Sequence, residues 1–407
     1  MKAETNGVKH PNTQRIPVEL SPRMKMLPPY LFGRLNAAKY QKRRAGIDVI
    51  DLGMGNPNDP TPQPIVDKIC EAVRDPRNHR YSQAAGLLNL RKEVAKQYKK
   101  RYDVKLDPET EIVCVIGSKE GLSHLCLALL GAGDSVVVPE PAFPVHIFGP
   151  ALAGANVITV QLTEGEALLR SIHDVIAHQH PRPKAIILNY PHNPTGATVD
   201  LDFFERVVAF AQEHQILILH DFAYCDIVFD GYTAPSFLQV PGAKEVGIEF
   251  TTMSKSYNMA GWRCGFCVGH RDVVTALSQV KGYYDYGLFQ PVQIAAIIAM
   301  RECEKHVKEQ ARVYQGRRDV LCDGLERIGW PVERPRASMF VWTPIPEKYR
   351  AMGSIDFAFE MIEKAEVAVA PGRGFGEGGE GYLRLALVEN ELRLKQAVRQ
   401  IGRAFPG

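Results

Sequence analysis

The sequence predicts an α/β fold built on a mainly parallel seven-stranded sheet flanked by helices, with a smaller α+β domain towards the C-terminus. Three observations predict it. From about residue 65 to 290, seven short β-branched runs alternate with amphipathic stretches such as LDFFERVVAFAQEH; the runs are EIVCVIG, DSVVVPE, ANVITVQL, KAIILNY, ILILHD, IEFTTM and CGFCVG. That alternation is the pattern of strands and covering helices. The runs are apolar without a polar face, so both sides of the sheet are covered, as in parallel sheets. Further along, the pattern changes to a long helical stretch around 293–328, then SMFVWTPI, a helix near 354–365, EVAVAPG and GYLRLAL.

These elements divide the chain into a large domain over 65–300 and a small one over 301–407. Residues 1–64 carry little core of their own, and their GMGNPNDPTPQP stretch is a Gly/Pro-rich loop that cannot continue a helix or a central strand. They are expected to pack on the small domain. The run GRGFGEGGEG near residue 372 reads as a flexible glycine-rich loop, and no internal repeat is present.

Composition narrows the functions available. Of 407 residues, 45% are hydrophobic and 23% charged, the balance of a globular protein. The 49 basic and 46 acidic residues are spread along the chain, so no extended cationic face, and no nucleic-acid partner, is expected. No apolar run approaches the roughly 20 residues of a membrane span, and the first 20 residues lack a signal-peptide core. A cytoplasmic location follows as an expectation. Eight cysteines lie mostly in apolar segments and suit reduced, packed thiols; the one CxxC, Cys264 and Cys267, has no second pair or spaced histidine, so no metal is expected.

Several residues point to chemistry at strand ends, where doubly wound sheets bind ligands. Lys255 follows the run IEFTTM, stands among Thr252, Ser254 and Ser256, and precedes Arg263 by eight residues. An amine at a buried edge beside a fixed guanidinium has a lowered pKa and suits imine formation next to a phosphate site. Asp221 ends the run ILILH and reads equally as a helix cap or as a carboxylate that keeps a ring nitrogen protonated; Tyr224 lies three residues on. Asn193 begins an NPTG turn, and His192 beside it needs no role beyond packing. In IGSKEGL a strand runs into a glycine-containing helix start, where Ser118 and backbone N–H groups can hold phosphate.

In this order and at these separations, GSKEGL, NPTG, HDFAYCDIVFDGY, SKSYNMAGWRCGF and YLRLALVEN resemble the class I, fold-type I aminotransferases along essentially the whole chain. The bacterial alanine, glutamate:pyruvate, branch is the most similar. The resemblance implies pyridoxal 5'-phosphate as cofactor, with Lys255 bonding it, Asp221 at the pyridine nitrogen, and Tyr224 and Asn193 at the phenolic oxygen. Phe143 is implied to stack on the ring, and Ser118, Lys119, Thr252, Ser254 and Arg263 to surround the phosphate. Arg384 is implied to clamp the substrate α-carboxylate beside Gly55, and Tyr81 to reach across a homodimer interface into the neighbouring site.

The implied reaction is ping-pong transamination between L-alanine or L-glutamate and 2-oxoglutarate or pyruvate. Aspartate, LL-diaminopimelate and methionine remain open as donors, as does a β-lyase reaction on the same cofactor. One departure matters: where the aspartate-specific branch carries an arginine for a second carboxylate, this chain has KGYYDYG around Tyr284.

Overall fold

The structure is a computed structural model, and it describes residues 15–29, 31–330 and 332–406. In chain order its strands are β1 (Ile50–Asp51), β2 (Ile112–Val115), β3 (Ser135–Glu140), β4 (Asn156–Gln161), β5 (Ala185–Asn189), β6 (Leu217–Asp221), β7 (Gly247–Thr252), β8 (Gly265–Gly269), β9 (Phe340–Pro344), β10 (Val367–Ala368), β11 (Ala370–Pro371) and β12 (Tyr382–Ala386). The seven predicted runs make one sheet of order β2-β8-β7-β6-β5-β3-β4. Every neighbouring pair is parallel except those of β8, which runs against both β2 and β7. The carboxyl ends of β2, β5, β6 and β7 therefore meet along one edge.

Alternate residues of each strand enter different cores. Cys114, Ile186, Leu188 and Ile218 join one apolar cluster, while Val113, Val115, Ile187 and Leu219 join another, as the period of two requires. The same alternation separates the CxxC pair, since Cys264 belongs to the first cluster and Cys267 to the second. Asp200 starts one covering helix, Leu201–His214, by accepting the Phe203 N–H at 2.9 Å. Such a cap is worth about 1 kcal/mol.

A third cluster gathers Phe340, Phe357, Ile362, Leu383, Leu385 and Ile401 with Phe32, Leu35, Val49, Ile50 and Leu52 from the first part of the chain. Strand β1 pairs in parallel with β10, while β11, β12 and β9 form an antiparallel sheet. Burying each of these large side chains contributes roughly 1.5–3 kcal/mol, which ties residues 32–52 to the C-terminal elements.

Two sequence expectations need correction. The long helical stretch is two helices, Gln290–Glu302 and Glu304–Arg327, because Cys303 leaves helical geometry at φ −107° and ψ 21°. The GRGFGEGGEG run is not a flexible loop: it folds into two tight turns, Gly372–Phe375 and Glu377–Gly379, around a fully buried Phe375. A Cβ on Gly372 would lie 1.8 Å from the Gly379 carbonyl oxygen. Glycine serves there to let two backbones touch, not to keep them loose.

Candidate active site

Lys255 stands one turn beyond β7. Thr252 caps that turn, its hydroxyl accepting the Ser254 N–H at 3.2 Å, and also lies 2.9 Å from the Ser254 hydroxyl. The Lys255 ammonium donates to the Gly55 carbonyl at 2.7 Å, joining the Gly/Pro-rich loop to the sheet edge. Burial, then the nearby Arg384 and Arg263 guanidinia, push its pKa down to about 8, against the opposing pull of Asp221. An amine so placed is neutral for an appreciable fraction of the time near neutrality, which a nucleophile or proton carrier needs.

Asp221 ends β6 with its carboxylate held on both oxygens. Oδ2 lies 3.0 Å from His146 Nε2, and Oδ1 accepts the Ala223 N–H at 3.2 Å. Tyr224 follows in the same turn, and the Asn193 amide donates to its hydroxyl at 3.3 Å. Burial raises the Tyr224 pKa, so the hydroxyl keeps its proton. Beside it, His192 packs as expected: its Nδ1 lies 2.8 Å from the Thr195 hydroxyl, and burial lowers its pKa to about 3.

The strand-to-helix turn after β2 forms a cradle for an anion. Gly117 starts helix Ser118–Leu129 at φ 79° with no side chain capping its first amides, so the positive helix end is open to a ligand. Arg263 lies directly over this turn, since a Cβ on Gly117 would come within 2.3 Å of its guanidinium. The same guanidinium donates to the Ala260 carbonyl at 2.9 Å, which fixes its direction. Lys119 lies 5.6 Å from the centre of the Phe143 ring, and burial followed by the Arg263 charge lowers its pKa.

Arg384, on β12, closes the other side. It is 4% exposed and donates to Asn193 Oδ1 at 2.8 Å and to the Gly53 carbonyl at 2.9 Å. Its guanidinium carbon lies 4.0 Å from the Phe340 ring centre and 4.6 Å from that of Phe375, a stacking that holds the planar fork in one orientation.

These groups line one cavity of about 710 Å³: Gly55, Ser118, Lys119, Phe143, Asn193, Asp221, Tyr224, Thr252, Ser254, Lys255, Arg263 and Arg384. Tyr81 is the sequence-predicted residue that its own chain does not bring there. It is 89% exposed and packs against Tyr286, with ring centres 5.3 Å apart. Sequence reasoning missed His146, three residues after Phe143 on a helix start, a spacing that could have flagged it. It also missed Phe340 and the Lys39–Asp51 ion pair at the cavity wall, and Phe375 behind Arg384, for which no local signal exists.

An open helix start beneath a guanidinium, a buried carboxylate, an amine of lowered pKa and a second, buried guanidinium thus meet at one cavity, a set suited to work on the amino group of an amino acid. Their chemistry fits pyridoxal 5'-phosphate, whose phosphate Gly117, Ser118, Lys119, Thr252, Ser254 and Arg263 would hold. The chain belongs to the class I and II aminotransferases, whose family model matches residues 47–401, and it is a pyridoxal-phosphate-dependent transaminase.

Among its relatives, it is 49% identical over 383 residues to the glutamate-pyruvate aminotransferase AlaC of Escherichia coli (strain K12), covering 94% of this chain and 93% of the relative. It is 44% identical to the LL-diaminopimelate aminotransferase of Moorella thermoacetica, covering 94% and 97%. Among solved structures, substrate-bound BacF from Bacillus subtilis superposes with a TM-score of 0.87 at 32% identity, covering 95% of this chain and 98% of that one.

Proposed function

We propose that this enzyme transfers the amino group between L-alanine or L-glutamate and 2-oxoglutarate or pyruvate by a ping-pong mechanism. It would act in the cytoplasm as a homodimer in which Tyr81 completes the neighbouring site. The observation that carries the reading is the Arg384 guanidinium, buried between two aromatic rings and facing the same cavity as the Lys255 amine. That pairing presents an α-carboxylate clamp and an amine to one small amino acid. The likeness to the Escherichia coli glutamate-pyruvate enzyme supports alanine and glutamate, and so do aromatic rather than cationic side chains at Tyr283, Tyr284 and Tyr286.

Pyridoxal phosphate, when bound, supplies an electron-withdrawing ring that stabilises negative charge developing at the substrate α-carbon. The residues supply the rest. Arg384 binds the α-carboxylate in two-pronged fashion and fixes the direction of the α-C–H bond. Lys255 Nζ, once free, takes the α-proton and later returns a proton. Asp221, held by His146 and the Ala223 amide, keeps a proton on the ring nitrogen, while the Asn193 amide and Tyr224 hydroxyl hold the phenolic oxygen. The turn at Gly117 with Arg263 anchors the phosphate, so the ring stays in place when Lys255 lets go.

A second reading, LL-diaminopimelate as donor, is favoured by one feature. The cavity wall carries Lys39, Arg43, Asp51 and Glu389 together, a mixture of cations and anions suited to a distal ammonium and carboxylate. Catalytic efficiencies of amino donors at saturating 2-oxoglutarate separate the two: alanine should lead, and LL-diaminopimelate or aspartate exceeding it about tenfold would overturn the alanine assignment.

A further inference from the structure

We propose that Asn189 is a positioning residue, which sets Asp221 and Asn193 relative to one another without touching substrate or cofactor. The proposal rests on the reading above, in which those two residues face the cofactor. Asn189 is the last residue of β5, is 4% exposed, and lies outside the lining of the 710 Å³ cavity.

Its side-chain amide makes connections in two directions. Nδ2 donates to the Asp221 carbonyl at 2.7 Å and to the Pro191 carbonyl at 3.3 Å, while Oδ1 accepts the Asn193 N–H at 2.8 Å. Asn189 and Asp221 are register partners at the ends of β5 and β6. Beyond that pair the ladder stops, and the backbone groups at the strand ends need other partners. One planar amide provides both a donor for the strand next door and an acceptor for its own following loop, a combination that neither a carboxylate nor an aliphatic side chain of that size offers.

The consequences pass along the network. Asn193, placed by Asn189, accepts from Arg384 and donates to Tyr224. The residues assigned to the ring nitrogen, the phenolic oxygen and the substrate carboxylate thus share one buried brace. A misplacement of about 1 Å at such a site costs on the order of a hundredfold in rate.

The test uses the holoenzyme of wild type, Asn189→Ala, Asn189→Asp, Asn193→Ala and the double variant Asn189→Ala/Asn193→Ala, with thermal melting to verify folding. Expected for Asn189→Ala is a kcat loss of about tenfold to a hundredfold, with a displaced pH midpoint of the cofactor's visible absorbance. In the Asn193→Ala background the same change should cost much less, because part of its effect runs through Asn193. Asn189→Asp keeps the acceptor for the Asn193 N–H and loses the donation to Asp221, so its kcat and absorbance midpoint should move while the amino-acid KM stays near wild type. That variant decides the matter where the alanine variant does not fold.

Wild-type kcat and absorbance in folded Asn189 variants, or the full loss repeated in the Asn193→Ala background, would overturn the proposal. If Asn193→Ala alone changes neither kcat nor the absorbance, the assignment of Asn193 fails, and the brace fails with it.

Discussion

The Asp221 carboxylate and the His146 imidazole meet at 3.0 Å, joining the end of β6 to the first turn of helix Pro144–Ala153, with the histidine side chain 2% exposed. Phe143 is the residue that leads into that helix, so the group expected to stack on the ring and the group that steers Asp221 are placed by a single turn.

From this contact, Asp221→Ala is expected to slow turnover by about a hundredfold or more while leaving substrate affinity nearly unchanged, because an unprotonated ring nitrogen stabilises negative charge poorly. Steady-state kinetics with alanine and 2-oxoglutarate check this. A change confined to KM would mean that Asp221 acts only as a structural cap.

Protonation of Lys255 makes a pH-dependent prediction for the apoprotein. Because its pKa is pushed down to about 8, the neutral amine fraction grows about tenfold per pH unit below that value and only about twofold more above it. The rate of reconstitution with pyridoxal phosphate, followed by visible absorbance, should therefore climb from about pH 6, bend near pH 8 and level off by about pH 9. An unperturbed lysine would let the rate continue to climb well beyond that point.

Arg384→Lys should raise the KM for every amino donor, since an ammonium cannot reproduce a two-pronged clamp stacked between Phe340 and Phe375. The expected loss in kcat/KM is about tenfold to a hundredfold, or on the order of 1–3 kcal/mol. Kinetics with several donors would show it: a loss for one donor only would place Arg384 at a side chain instead of the α-carboxylate.

Much of this site was legible in the sequence because its residues follow strands whose apolar runs are unmistakable. Asn193, Asp221 and Lys255 each come just after such a run, and the sheet order then brings them together. Arg384 carries no signal of its own in the run GYLRLAL, and only the resemblance to a family assigned it a task; in the fold it is buried against the rings of Phe340 and Phe375. The turns around Phe375 were misread because glycine content is the same for a loose loop and for two backbones in contact. Asn189 acts through hydrogen bonds across the fold, and nothing local in a sequence reports such a partner.

Tyr81 gives the prediction for assembly. With its ring exposed beside Tyr286, and with Phe289 lining the same surface pocket, it belongs to an aromatic patch that a second copy would cover. Light scattering should show a dimer, and Tyr81→Phe should weaken cofactor retention without dissociating it. A fully active monomer would refute the arrangement.

The central claim, that Lys255 is the amine that holds the cofactor, is tested most directly by chemical trapping. The holoenzyme is reduced with borohydride and digested, and the phosphopyridoxyl group is located by mass spectrometry. The label is expected on Lys255, in the stretch TTMSKSYNMAGWR, at close to one per chain. A label on Lys119 or any other lysine, with Lys255 unmodified, would contradict the account.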